Sequence, residues 1–384
     1  MSSLIKHRQQ NRPAGCFIFF NMRMIFFLTI PFFFQLEPSP VQMTKRHSGF
    51  SSEKYANSDS GQTKSQNVRV VFWNLENLYD PYDDTTTLDN EFTPTGSRHW
   101  TYSKFLVKLN HVAKTLISIG KWEPPVITGL CEVENRYVLN KLIYETPFKR
   151  WKFKFIHHES PDARGIDVAL LYRPEKFHLL TSKTISIRFP FDSVSQTREI
   201  LIVSGTVFHD DTITLLVNHW PSRRGGYMQS QPRRDYVAGI LKRLVDSIQR
   251  INPYSNVLIM GDFNDEPDQE SIRTILGAIA DTSKGVPGSL INLMLPKINR
   301  EGTIKFQGRW SIIDQFIVSE TMIRGENGLQ CDEGDISIYK AGFLLLEDTR
   351  FFGSKPNRTY IGPRYNGGFS DHLPITLQIW SIGH

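Results

Sequence analysis

Cysteine is scarce in this chain: three in 384 residues, at positions 16, 131 and 331. Cys131 and Cys331, two cysteines far apart in the chain, do not make a disulfide framework or a zinc site. Cys131, at the end of an apolar run, reads as a small core residue. No apolar run is long and unbroken enough to span a bilayer; the fullest, Met24 to Phe34, is interrupted by Pro31. A strong charge is lacking too. The formal charge is +6, and Lys6, Arg8, Arg12 and Arg23 stand against Glu37 in the first 40 residues, which leaves 41 basic and 38 acidic residues, a net of +3, in the rest. An excess that small does not by itself argue for nucleic acid. No internal repeat is present, which sets aside repeat arrays. What remains, 40% hydrophobic and 22% charged, is the composition of a soluble globular protein with room for one large domain or two ordinary ones.

The first 40 residues are set apart. Arg23 followed by the apolar run has the form of a secretory h-region, and its depth in the chain suggests a true start at Met22 or Met24. No A-x-A-like cleavage site follows, so a cleaved signal, a retained anchor and a buried N-terminal helix all stand as readings. Cys16 precedes the run and is no lipobox cysteine. A cleaved signal would make the protein secreted or periplasmic. Residues 41–66, polar and poor in apolar side chains, read as a disordered linker.

From residue 67 to 384 short apolar runs alternate with amphipathic stretches. Strands are expected at 68–73, 126–130, 168–172, 200–207, 212–218, 257–260, 312–318, 336–339 and 373–380, and helices at 103–119, 135–145, 231–250 and 268–280. The first helix carries Phe105, Leu109, Val112 and Leu116 at helical spacing and ends at Gly120; the third is expected to start beside Pro232. That pattern is α/β, with strands enough for two sheets.

The chemistry gathers at strand ends. The run Val257 to Gly261 stops in Asp262, Asn264 and Asp265. In extended chain residues 262 and 264 leave the same face, an acceptor-only carboxylate beside an amide that donates and accepts, which suits a phosphate ester. A solvated turn uses the same residues. Similar polar ends follow other runs: Asn74 after Trp73, Glu132 after Cys131, His219 after Asn218, and Asp371-His372 before the last strand. Asp314, between Ile313 and Phe316, is costly unless paired, and His372 is the candidate partner. A purely structural Asp–His pair is the alternative for that couple.

Trp73-Asn74-Leu75-Glu76-Asn77, Cys131-Glu132-Val133-Glu134, Asn218-His219-Trp220, Gly261-Asp262-Phe263-Asn264-Asp265, the 310–314 segment and Ser370-Asp371-His372 resemble, in that order, the motifs of the endonuclease/exonuclease/phosphatase superfamily. The resemblance implies a four-layer α/β sandwich: two packed β-sheets, helices outside, and a site at one edge. It implies hydrolysis of phosphate esters with Mg²⁺ or Mn²⁺. By motif match, Glu132 is the main metal ligand, with Asn74 and Asp371 helping, and oxygen donors of this kind agree with a hard cation. Asp262 would orient the attacking water or protonate the leaving group, Asn264 and His219 would hold phosphate oxygens, and His372, oriented by Asp314, would donate to the phosphoryl group. Asp314 would raise the pKa of His372. Asp167, in Arg164-Gly165-Ile166-Asp167, departs from simpler members and reads as structural, with support of a site residue as the alternative.

Histidine at 219 resembles the pancreatic deoxyribonuclease side of the family. Arg223 and Arg224 would grip flanking phosphates, a solvated loop being the alternative. The loop 346–368, with Arg350, Lys355, Arg358, Tyr360, Arg364 and Tyr365, has the basic and aromatic mixture of a nucleic-acid path, and Arg364 is placed among the phosphate-binding residues. A monomeric, weakly sequence-specific nuclease, with DNA ahead of RNA and no stable protein partner, is the expectation. A phosphatase or lipid phosphodiesterase, with Phe351-Phe352 as a membrane-contacting tip, is the second reading, and an inactive binding module the third. Otherwise membrane contact is expected only through an uncleaved leader.

Overall fold

In the computed structural model, residues 64–208, 210–279 and 288–382 are described. The expected leader, 1–40, and residues 41–63 of the expected linker lie outside them. Residues 64–66 correct the linker boundary, since the first strand, β1 (Lys64–Leu78), already includes them through pairing with the last strand.

Two large sheets carry the fold. The first is built from β1, β2 (Ile127–Val133), β3 (Lys154–His157), β4 (Asp167–Tyr172), β14 (Leu329–Gln330), β15 (Ile336–Ile338) and β20 (Ile375–Ile382), in the order β14-β20-β1-β2-β4-β3 with β15 also on β20. The second contains β5 (Phe177–Ile185), β6 (Ile200–Val207), β7 (Asp211–His219), β8 (Val257–Asp262), β9 (Ala278–Ile279), β10 (Leu290–Asn292) and β13 (Asp314–Ser319), in the order β5-β6-β7-β8-β13-β10-β9. Three small hairpins complete the strands: β11 (Ile304–Phe306) with β12 (Arg309–Ser311), β16 (Leu345–Glu347) with β17 (Ser354–Pro356), and β18 (Tyr360–Ile361) with β19 (Arg364–Tyr365).

The alternation of side chains shows how the layers stack. Leu201 and Val203 of β6 pack in the core between the sheets, whereas Ile200 and Ile202 pack against α3 (Tyr227–Ile251) on the other face. Strands covered on both sides become continuous apolar runs, which is why β6, β7 and β8 were legible. The helices α1 (Tyr102–Ile119) and α2 (Arg136–Glu145) contribute Phe105, Leu109, Leu139 and Leu142 to the core of the first sheet. The sheets approach closely enough that a Cβ on Gly129 of β2 would lie 2.5 Å from the Met260 sulfur of β8. The result is the expected sandwich of helix, sheet, sheet and helix.

Some local expectations fail. The helix expected at 268–280 is one wide turn, Ser271–Ile275, followed by β9. Ile272, Thr274 and Ile275 are β-branched, and Gly277, at φ +76°, turns the chain out of the helix. α3 starts a turn before Pro232, which lies inside it; the Ser230 hydroxyl donates to the Gly226 and Tyr227 carbonyls of that first turn. Edge strand β5 has no counterpart among the expected strands because most of it is exposed and it lacks an apolar run. Among the described residues no helix is long and apolar enough to cross a membrane.

Candidate active site

Strand direction gathers the polar residues. β1 and β2 run parallel, as do β7 and β8, so Asn74, Glu132, His219 and Asp262 all lie toward strand C-terminal ends. Antiparallel β13 begins with Asp314 directly opposite Asp262. His372 precedes β20, whose Ile375 pairs with Phe72 of β1. Six motifs scattered over some 300 positions therefore meet at one edge of the sandwich.

Backbone strain aims the acids. Cys131 pairs with Val168 and Val133 with Asp167, so Glu132 is an extra residue in a bulge, with φ +58°. Opposite it Glu76 and Asn77 also have positive φ, 50° and 60°. For residues with a Cβ each such conformation costs about 1–3 kcal/mol, and such outliers cluster at functional sites. The Asn77 amide donates to Glu132 Oε2 at 2.8 Å, which leaves Oε1 turned toward His219 Nε2, 4.0 Å away.

Asp262 is the centre of the cluster. Its Oδ2 accepts from Asn74 Nδ2 at 3.0 Å and lies 3.7 Å from His219 Nε2 and 3.9 Å from His372 Nε2. Its Oδ1 accepts from the Asn264 amide at 2.9 Å, an Asx turn that ends the strand. His372 Nδ1 meets Asp314 Oδ2 at 2.7 Å, and both residues are buried. Trp73 donates its indole N–H to the His372 carbonyl, and Ser370 Oγ donates to the Asn74 carbonyl while accepting from the His372 amide. The Ser-Asp-His turn is thus bonded to the Trp-Asn end of β1.

Burial and charge drive the two histidines apart. Burial, then Arg198, Arg164 and His372, hold His219 well below its ordinary pKa, so it is neutral. Burial alone would lower His372 as well, but Asp314, Asp262 and Asp371 outweigh it and hold the ring well above its ordinary value. Burial first, with Asp314 adding, pushes the Asp262 carboxyl up to about 7 against the opposing pull of His372 and its hydrogen bonds. One neutral ring, one cationic ring and one carboxyl poised near neutrality are a usable acid–base set.

Asn74, Glu132, His219, Asp262, Asn264, Asp314, Asp371 and His372 are thus brought to one edge. The parity argument for Asn264 fails: at φ +52° it has left the strand, and its Nδ2 donates to the Trp220 carbonyl at 3.0 Å. Arg223 and Arg224 diverge. Arg223 Nε donates to the Asn264 carbonyl at 2.6 Å and Nη2 lies 3.3 Å from Asp265, so this arginine braces the Asp262 turn; Arg224 is exposed. Arg364 stands exposed on β19, and Arg358 is the basic residue of that loop that reaches the cluster, at 3.1 Å from Glu76 and 3.0 Å from Asp371. Asp167 is buried, bonded to His157 at 2.9 Å and to Ser160, in keeping with a structural role. Glu76, quoted only as part of a motif, also accepts from the Thr359 amide, and buried Lys108 of α1 donates to Thr359 Oγ1 at 2.7 Å and the Phe369 carbonyl. The signal for Lys108 was a lysine among apolar helix positions.

The donor set fits a hard divalent cation. Asn74, Glu132 and Asp371 offer oxygens, and the side chains of Glu132 and Asp371 are 14% and 23% exposed, reachable from solvent yet partly desolvated. Each carboxylate has one oxygen engaged, Glu132 Oε2 by an amide and Asp371 Oδ2 by Arg358, with the other turned to the cluster.

Residues 69–381 match the model of the Endonuclease/Exonuclease/phosphatase family. No curated relative matches. Among solved structures, an endonuclease/exonuclease/phosphatase family protein from Bacteroides thetaiotaomicron superposes with a TM-score of 0.52 at 14% identity, over 82% of this chain and 98% of its own. TDP2 from C. elegans gives 0.49 at 16%, over 82% and 75%, and a Bacteroides thetaiotaomicron mannosyl-6-phosphatase 0.49 at 14%, over 81% and 99%.

Proposed function

The chain belongs to the endonuclease/exonuclease/phosphatase family of metal-dependent phosphoric ester hydrolases, and on that premise we propose that it is a weakly sequence-specific endonuclease. It would hydrolyse nucleic-acid phosphodiesters, DNA ahead of RNA, by in-line attack of water. The observation that carries the hydrolase part of the reading is Asp262 between a neutral His219 and a cationic His372, and the arginines flanking that cluster, Arg164, Arg224 and Arg358, favour a polyanionic substrate.

In this mechanism Asp262 takes the proton of the attacking water, its pKa of about 7 being suited to transfer near neutral pH. The Nε2 edge of His219 faces carboxylates, which favours a proton there, and that N–H would turn to a phosphoryl oxygen. His372, its Nδ1 held by Asp314, presents Nε2 as a cationic donor for charge developing in the transition state. Asn264 keeps one amide N–H for the phosphate beyond its bond to Trp220. Asn74, Glu132 and Asp371 would hold Mg²⁺ or Mn²⁺, which supplies Lewis-acid stabilisation of the phosphoryl oxygens when bound.

A lipid phosphodiesterase is the second reading. Phe352 and Phe351, 85% and 40% exposed at one hairpin tip, and Phe306, 71% exposed in the neighbouring hairpin, favour it. Plasmid DNA, RNA, sphingomyelin and inositol phosphates, each with and without Mg²⁺, discriminate the readings. Glu132→Gln should abolish the metal-stimulated rate, and an unchanged Mg²⁺ dependence would refute the ligand assignment. Export through the apolar segment at 24–34 is also our proposal; mass spectrometry of the native N-terminus tests it.

A further inference from the structure

The backbone of His219 and Trp220 has a second face. Buried Arg198 holds it there, donating from Nε to the His219 carbonyl at 3.2 Å and from Nη2 to the Trp220 carbonyl at 2.5 Å, while Nη1 bonds Asp162 at 2.7 Å. Beside it lies a cavity of about 240 Å³, lined by Arg164, Thr197, Arg198, Ser222, Arg224 and Arg233 among others. One water needs only about 10–15 Å³.

The cavity is chemically one-sided. Four arginines face it, and among the described residues the carboxylates bonded to them are two: Asp162, shared by Arg198 and Arg164, and Asp192, held by Arg233 at 2.5 Å. Arg224 is exposed at the cavity mouth, and among the described residues no carboxylate is bonded to it. Guanidinium groups in excess of their carboxylate partners, around a space open to solvent, suit an anion, which they bind with charge-assisted hydrogen bonds. Arg164 also interacts electrostatically with Glu132 and His219, which ties the cavity to the reacting centre.

We propose that this cavity is a subsite for a non-reacting phosphate of the substrate strand, adjacent to the scissile one, with Arg224, Arg233 and Arg164 as its donors. It deepens the nuclease reading and rests on it. The arrangement would set which phosphodiester of a strand is cut relative to its neighbour.

Dinucleotides with one internal phosphodiester and a terminal phosphate at the 5′ end, the 3′ end or neither test it. For the wild-type protein kcat/KM should rise roughly tenfold for one of the phosphorylated forms, the equivalent of one charge-assisted hydrogen bond. Arg224→Ala and Arg233→Ala should each erase most of that preference. Equal kcat/KM for all three dinucleotides, or a preference kept in both variants, would overturn the subsite. Calorimetric binding of the same dinucleotides to Glu132→Gln, with and without Arg233→Ala, reads the subsite without turnover. Preferential binding that Arg233→Ala removes, with no cleavage of plasmid DNA, RNA or any dinucleotide by the wild type, leaves the subsite standing and sinks the nuclease reading; equal binding of all three overturns the subsite. An inositol bisphosphate turned over with the same Arg233 dependence in place of the dinucleotides overturns its assignment to a strand.

Discussion

Removing the His372 ring should damage the protein in two separable ways. Asp314 is fully buried, its Oδ2 lies 2.7 Å from His372 Nδ1, and its Oδ1 has no hydrogen-bond partner among the described residues. His372→Ala therefore leaves a buried carboxylate without its counter-charge, which costs about 3–5 kcal/mol of stability. Asp314→Asn keeps the shape and an acceptor for Nδ1–H but loses the charge, and should cost about 1 kcal/mol, the difference between a charged and a neutral hydrogen bond. In the double variant no unpaired charge remains, so its loss should fall short of the sum by about 2 kcal/mol. Activity should follow the same coupling. Each single variant should lose about 10²–10³ in kcat, and the double little more, because the residues act as a unit. Urea unfolding and kcat on bis(p-nitrophenyl) phosphate at saturating Mg²⁺ give the two cycles. His372 is held above its ordinary pKa, so the stability from the pair is complete below about pH 6.5 and fades as pH rises through the raised value. The coupling should accordingly shrink in alkaline urea titrations. Losses that simply add in stability and multiply in kcat would show two independent residues.

Two further outcomes follow from side chains that the structure separates. Arg223→Ala should lower kcat on small diesters and long nucleic acid alike, since Arg223 holds the Asn264 carbonyl and Asp265; Arg224→Ala should weaken only substrates with flanking phosphates and flatten the salt dependence of their binding by about one unit of slope. Matching substrate profiles for the two variants would contradict that division. Burial pushes the Lys108 ammonium from 10.5 down to about 8, so between those values the unfolded chain binds more protons and wild-type stability should rise with pH. At 1.36 kcal/mol per unit the full rise is about 3 kcal/mol, and it is lost again as pH falls through 8. Lys108→Met should flatten it; urea midpoints at pH 7.5 and 10.5 that rise equally in both proteins would refute the assignment.

Much of this molecule is legible along the chain because burial is periodic. β6, β7 and β8 are covered on both faces and must be apolar throughout, so their extents stand out. Polar residues that interrupt such runs are costly unless paired, which is why Asn74, Glu132, His219, Asp262, Asp314 and His372 stand out, and why Asp314 points to His372 as its partner. Other features have no local signature. β5 is an edge strand whose exposed side chains carry no apolar pattern, and the segment at 271–275 has helical periodicity without helical propensity. The positive φ of Glu132 arises from a one-residue register shift between β2 and β4, which depends on a partner strand some 35 residues away. Arg358 rather than Arg364 meets Asp371, and Arg223 and Arg224 turn to different walls, because the side chains already packed around them choose between neighbouring arginines. Composition and period report which residues must leave water. Register, bulges and the choice of partner are set by long-range packing, and only the tertiary structure brings those partners together.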